Sequence, residues 1–251
     1  MASISRSIFS GLAVLSTISC SSADSGAENT TTVFAAASLV DAFTEIGEAF
    51  EKAHPDWDIE FNFASSSDLA TQIVEGARAD VFASADTKNV DKVRESPVPI
   101  GDARTFAVNS LEIMVEAGNP MNIRELADLS NPSLVYITCD EAVPIGRHSA
   151  DILARANVTV TPKSYEENVR GIVNKIVLGE ADAGIVYRTD VIAAGSTAEG
   201  ITIPDVFNVV AEYPIALIGD RPSTSARTFF DFVATSETAR TILESYGFGL
   251  P

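Results

Sequence analysis

The chain has 251 residues, a hydrophobic content of 46%, a net charge of −18 and a pI near 4.3. That length carries one large or two modest domains with buried cores. The strong acidity excludes nucleic acid and anionic membrane surfaces as partners. It leaves room for a small anion, which answers to local N–H groups more than to net charge.

The first residues read as a targeting segment. Arg6 is basic, and Ile8 to Ile18 form an apolar core too short to span a bilayer. Thr17-Ile18-Ser19-Cys20 resembles a bacterial lipobox, with Thr17 where leucine is usual. The expectation is a signal peptide over residues 1–19, cleavage before Cys20 and a lipid on its sulfur, with plain secretion as the alternative. Residues 20–31, rich in Ser, Thr, Ala and Gly, are expected to be a flexible tether. Cys139 sits in an apolar run and reads as a buried small hydrophobe. With Cys20 lipidated, no intrachain disulfide remains to form.

The stretch Thr32–Asp41 comes next. Thr32–Ala36 reads as a buried strand. Ser38 and Asp41 have the S-x-x-D spacing of a capping box, and Leu39, Phe43, Ile46 and Phe50 share one face of a helix that runs to about Ala53 before Pro55. Small residues at such a junction let a ligand approach free N–H groups at the positive end of a helix. One junction of this kind is more often an ordinary capped helix. Here it recurs. Asp58–Ala64 alternates as a strand, then Ser65-Ser66-Ser67-Asp68 opens a second helix through Leu69, Ile73 and Val74. A third strand is expected at Ala79–Ser84 and a helix around Asn89–Arg94. Strand–helix alternation implies a parallel sheet, with ligands gathering at the carboxyl ends of its strands. Both serine junctions lie at such ends.

Beyond Pro97 and Pro99, Thr105–Val115 reads as one long strand leaving the first unit for a second. The second unit is expected to hold a helix at Asn122–Leu129, a strand at Leu134–Thr138, the loop Glu141–Gly146 and a helix to about Ala156. A helix over Val169–Leu178 capped by Glu167-Asn168 and a strand at Ala183–Tyr187 follow. Val209–Ile218 reads as the return crossing, followed by helices at Thr224–Ala234 and Glu237–Tyr246. Two units joined by two crossings would hinge about a cleft. The expected division is 32–106 with 216–251 for one lobe and 107–215 for the other.

Taken in order, Val33–Leu39, Phe63–Ser67, Ala79–Asp86, Val143–Gly146, Val169–Gly171, Gly184–Tyr187 and Tyr246–Phe248 closely resemble the ModA family, the extracytoplasmic components of molybdate ABC importers. The likeness runs from Thr32 to the C-terminus. It implies an α/β, two-lobed periplasmic-binding-protein type II fold, with two parallel or mixed sheet domains, two crossover strands and a ligand cleft between them. It implies a binding protein with no cofactor and no metal-cation ligands. Molybdate and also tungstate are the transported ligands, and a membrane permease is the partner of an exported monomer. By resemblance, Ser38 and Ser66 each give a hydroxyl and an N–H, Ile145 and Val169 give backbone N–H groups, and Tyr187 gives its phenol. Ile145 stands where many relatives have alanine. The residues alone point to Ser38 and Ser66. They leave Tyr187 as a packing residue.

Neutral donors that all point inward suit a fully ionised oxyanion, each hydrogen bond contributing about 1.5–3 kcal/mol. Asp41 and Asp68, the carboxylates beside the junctions, are expected to turn back to their own caps. Otherwise they would accept a proton from hydrogen phosphate. The alternatives are the same architecture tuned to sulfate, thiosulfate or phosphate, a purely adhesive surface lipoprotein, and an exported serine hydrolase. The hydrolase needs a placed base. No G-x-S-x-G occurs, and His54 and His148 both read as surface residues.

Overall fold

A computed structural model describes residues 29–251. The expected signal peptide and Cys20 lie outside the described residues. The first sheet is built from β1 (Thr30–Ala36), β2 (Asp58–Ala64), β3 (Val81–Ala83), β4 (Arg104–Asn109) and a late strand from the C-terminal third of the chain. Helices α1 (Val40–Ala53), α2 (Ser66–Val74) and α3 (Thr87–Arg94) join its first members. The second body holds β5 (Leu111–Glu116), β6 (Ile137–Cys139), α4 (Pro144–Arg155), β7 (Ser164–Glu166), α5 (Val169–Val177), β8 (Ala183–Tyr187), α6 (Arg188–Ala194) and β9 (Ala198–Thr202). The chain then returns as β10 (Ala211–Leu217) to the first sheet and ends in α7 (Thr224–Thr235) and α8 (Glu237–Ser245).

The first sheet has the order β2-β1-β3-β10-β4. Its first three strands are parallel, as strand–helix alternation demands, while β10 enters antiparallel to both neighbours. Alternation along the strands sorts the two faces. Phe34 and Phe82, opposite each other, join Leu69 and Ile73 of α2 and Val90 and Val93 of α3. Val33, Ala35, Val81 and Ala83 face the other way, where Phe43, Ile46 and Phe50 of α1 meet Phe229 of α7. Four Phe rings at 5.2–6.5 Å centroid spacings (Phe43, Phe50, Phe61, Phe229) stitch α1 to α7. In the second body, β5 lies antiparallel between β8 and β9, and β6 pairs with β7. A bridge from Tyr136 to Ala183 ties the two groups of strands. Two lobes result.

Several sequence expectations need correction. The stretch Thr105–Val115 is two strands, since Ser110 breaks it and β4 and β5 belong to different sheets. An unbroken apolar run does not reveal which sheet its residues enter. The helix expected at Asn122–Leu129 is a single 3-10 turn at Leu126–Ser130, because Asn119 and Asn122 take positive φ values of 43° and 52°. Thr30 and Thr31, assigned to the tether, already belong to β1. The Thr31 hydroxyl donates to Ser225 Oγ at 2.8 Å. Cys139 is buried, and burial pushes its thiol up to about 12. Among the described residues no helix is long and apolar enough to cross a membrane.

Candidate functional site

Parallel pairing of β1 with β2 sets the first half of the site. Ala36 lies opposite Ala64, so the two strands end at the same level. Two residues on, Ser38 and Ser66 leave the sheet side by side. The second junction folds as its sequence predicts. Ser65 is the N-cap of α2, accepting from the Asp68 N–H at 3.2 Å and donating to the Asp68 carboxylate at 2.6 Å.

The first junction does not. Ser38 lies within a 3-10 turn, Ala37–Leu39, and makes no cap hydrogen bond. The Ser38 hydroxyl is taken by the Tyr213 hydroxyl of β10, 3.0 Å away. Asp41, expected to turn back to Ser38, pairs instead with Arg170 of α5 in the other lobe. The S-x-x-D spacing is real, but tertiary partners outcompete the local box. Tyr213 is the residue the sequence reading missed. Within an apolar strand its role as a hydroxyl partner has no local signature.

The second lobe supplies the opposite wall. Ile145 is the second residue of α4, where Val143 makes no side-chain cap and Pro144 has no N–H. Val169 opens α5, where the Asn168 side chain accepts from the N–H groups of Arg170 and Gly171. The Val169 N–H precedes them and has no intrahelical acceptor. Tyr187 ends β8, is 1% exposed, and its hydroxyl has no hydrogen-bond partner.

All five residues, Ser38, Ser66, Ile145, Val169 and Tyr187, line one hollow between the lobes. Its cavity volume is about 20 Å³. That is room for one small ion and too little for an organic metabolite. No charged side chain is among its lining residues. Its polar side chains are largely satisfied as acceptors. Ser66, 1% exposed, accepts the Ala85 N–H at 3.0 Å and keeps its own proton free. The carbonyl of Asn168 and the hydroxyl of Ser65 are engaged at their helix starts. What the hollow offers a guest is N–H and O–H.

Burial dominates the electrostatics. The Tyr187 phenol is raised well above its ordinary range by desolvation, with Tyr213 and Asp190 adding to the effect, so it stays a donor. Beneath it, Asp190 accepts the Tyr187 N–H at 3.1 Å and is 1% exposed. Burial pushes that carboxyl up to about 7, with Arg170 opposing, which holds it toward its neutral form. Its burial is therefore costless below the unfolded value and destabilises as pH rises toward about 7. Asp190→Asn is expected to raise the melting temperature by roughly 5 °C at pH 8 and to leave it unchanged near pH 4. Thermal unfolding at both pH values checks this.

His148 is half-buried, edge-on to Tyr187 with centroids 6.3 Å apart, and not the surface residue the sequence suggested. Its position on the buried flank of α4 turns it inward. Burial and Arg147 lower it to about 4, leaving it neutral. It is not hydrogen-bonded to either serine: Ser38 is held by Tyr213 and Ser66 by Ala85. His54, the residue just past the end of α1, stacks on Trp57 and is tilted against Phe50.

Residues 31–249 match the family model described as bacterial extracellular solute-binding protein. The molybdate-binding protein ModA of Mycobacterium tuberculosis is 39% identical over 219 residues, covering 87% of this chain and 84% of the relative. The chain belongs to the ModA family. The periplasmic molybdate-binding protein of Azotobacter vinelandii shares the ModA fold with a TM-score of 0.75 at 20% identity, covering 88% of this chain and 99% of that one. The sulfate-binding protein SubI of Mycobacterium tuberculosis has a TM-score of 0.74 at 19% identity, covering 88% and 86%. ModA-type architecture thus extends to proteins named for other oxyanions.

Proposed function

We propose that this protein captures molybdate, and tungstate with it, outside the cytoplasm and delivers it to the permease of an ABC importer. The observation that carries the reading is the hollow itself, small, uncharged and furnished with free donors from both lobes. The ModA relatives add the identity of the ion. In this reading the Ser38 and Ser66 hydroxyls, their N–H groups, the N–H groups of Ile145 and Val169 and the Tyr187 phenol surround a tetrahedral dianion. The 3.0 Å contact between the Ser38 and Tyr213 hydroxyls fits either as donor, and in this reading Tyr213 donates when the ion is bound, which turns the serine proton inward. A protonated oxyanion such as hydrogen phosphate finds no carboxylate among the lining residues to take its proton and is disfavoured. No bond is made or broken, and the protein is a carrier without catalytic residues or cofactor.

The division proposed with this reading runs through Ser110 and the segment between Thr202 and Ala211, close to the 106/107 and 215/216 expected from sequence; the pairing of β4 with β10 in the first sheet supports it. Export with a lipid on Cys20 and a monomeric state complete the proposal. Mass spectrometry of the mature N-terminus tests the lipid.

Calorimetric titration with molybdate, tungstate, sulfate and phosphate tests the function. Tight binding of the first two and weak binding of the others is expected. Sulfate bound as tightly as molybdate overturns the assignment in favour of a sulfate carrier, the reading that the likeness to SubI supports.

Tyr187→Phe gives a sharper check. It removes one donor to the ion and, in the unliganded protein, an unsatisfied buried hydroxyl. Molybdate affinity is expected to fall about tenfold while unfolding stability holds or rises. Titration and denaturant unfolding on the same preparation measure both.

A further inference from the structure

We propose that Arg147 and Arg170 are the latches that hold the two lobes closed on the anion, each by gripping the segment that sets one of the two serines. This rests on the hollow being the anion site. Both arginines stand in the first turns of second-lobe helices whose N–H groups line the hollow, Arg147 on α4 and Arg170 on α5. Neither lines the hollow. Each reaches across to the first lobe.

Arg170 pairs with Asp41 and also donates Nε–H to the Ala37 carbonyl at 3.3 Å. Those two contacts bracket Ser38. Arg147 pairs with Asp86 and donates to the Glu141 carbonyl of its own lobe at 3.1 Å. Asp86 follows Ala85, whose N–H holds the Ser66 hydroxyl. Asp86 is fixed in turn, since its other oxygen caps α3 by accepting the Asn89 N–H at 2.9 Å. The two pairs are partly buried, with side-chain exposures of 19% and 7% for Arg147–Asp86 and 26% and 40% for Arg170–Asp41. Ion pairs of that burial resist screening more than surface pairs do.

An anion held by both lobes binds only the closed form. Its apparent affinity therefore scales with the closed fraction, and a latch acts by slowing opening. The competing idea is that two arginines near the cleft simply attract a dianion. The two ideas predict opposite signs for the acidic partner. Removing the Asp41 charge weakens binding if Arg170 is a latch. It tightens binding if Arg170 is an attractive charge, because the guanidinium is then unneutralised.

The test is molybdate affinity together with association and dissociation rates, by calorimetry and stopped-flow tyrosine fluorescence. The proteins are the parent, Arg170→Met, Arg170→Lys, Arg147→Met and Asp41→Asn. Each arginine-to-methionine change is expected to weaken binding about tenfold, mainly through faster dissociation. Arg170→Lys, which keeps the charge and loses the fork, should fall between Arg170→Met and the parent. Asp41→Asn should weaken binding about threefold. Tighter binding by Asp41→Asn, a loss confined to the association rate, or parent-like binding by all variants overturns the latch while leaving molybdate binding intact. A parent protein that binds none of the four oxyanions overturns the proposed function, and the latch falls with it.

Discussion

Replacing Ser38 and Ser66 together by alanine is expected to lower molybdate affinity by at least about a hundredfold without unfolding the protein. In the proposed site each hydroxyl would give a charge-assisted hydrogen bond worth about 1.5–3 kcal/mol to a dianion. Neither caps a helix, so neither supports secondary structure through its side chain. The losses differ in kind. Ser66→Ala strips a partner from the Ala85 N–H, while Ser38→Ala strips one from Tyr213. Both neighbours then compete for water that a bound ion would displace. Calorimetry on the single and double variants measures the effect, with circular dichroism as the check on folding. Parent-like affinity in the double variant would remove these serines from the site.

A second large effect is expected from a residue that touches no ligand. At Gly146 an added Cβ would fall 2.1 Å from the Asp140 carbonyl oxygen and 2.5 Å from that of Cys139, both backbone atoms that cannot swing aside. Helix α4 sits directly on the end of β6, and only hydrogen at this position allows it. Gly146→Ala should therefore cost about 2–3 kcal/mol of stability. It should also weaken anion binding, because α4 backs away carrying the Ile145 N–H with it. Gly101→Ala, where the new Cβ meets Leu217 at an ordinary 3.7 Å, is the control and should change neither property. Denaturant unfolding and titration separate the two consequences. If Gly146→Ala is as stable as the control, the close approach of α4 to β6 is not what positions this wall of the hollow.

Much of the fold was legible because it is written in local patterns. The alternation of Asp58–Ala64, the apolar face of α1 and the Asn168 cap of α5 are each set by residues within a few positions of one another. The serine junctions were legible for the same reason, lying at the ends of recognisable strands. Long-range partners were not. Nothing near Asp41 announces Arg170, 129 residues away, and nothing near Ser38 announces Tyr213, 175 residues away. At Ser38 a plausible local cap lost to those distant partners. At Ser65, with no such rival, the cap formed as read. Tyr187 shows the limit most clearly. Its sequence context is that of a packing residue, which it is, and only its unpartnered hydroxyl beside the hollow distinguishes it.

The sequence by itself determined the strand–helix rhythm, the small residues at two strand ends and the likeness to the ModA family, since these depend on spacing and side-chain type along the chain. The tertiary structure alone decided that four helix starts from two lobes meet at one uncharged hollow, and that two ion pairs beside it, Arg147–Asp86 and Arg170–Asp41, run across the cleft. Register and burial govern both outcomes: Ala36 opposite Ala64 brings the serines level, and desolvation leaves the Tyr187 phenol protonated.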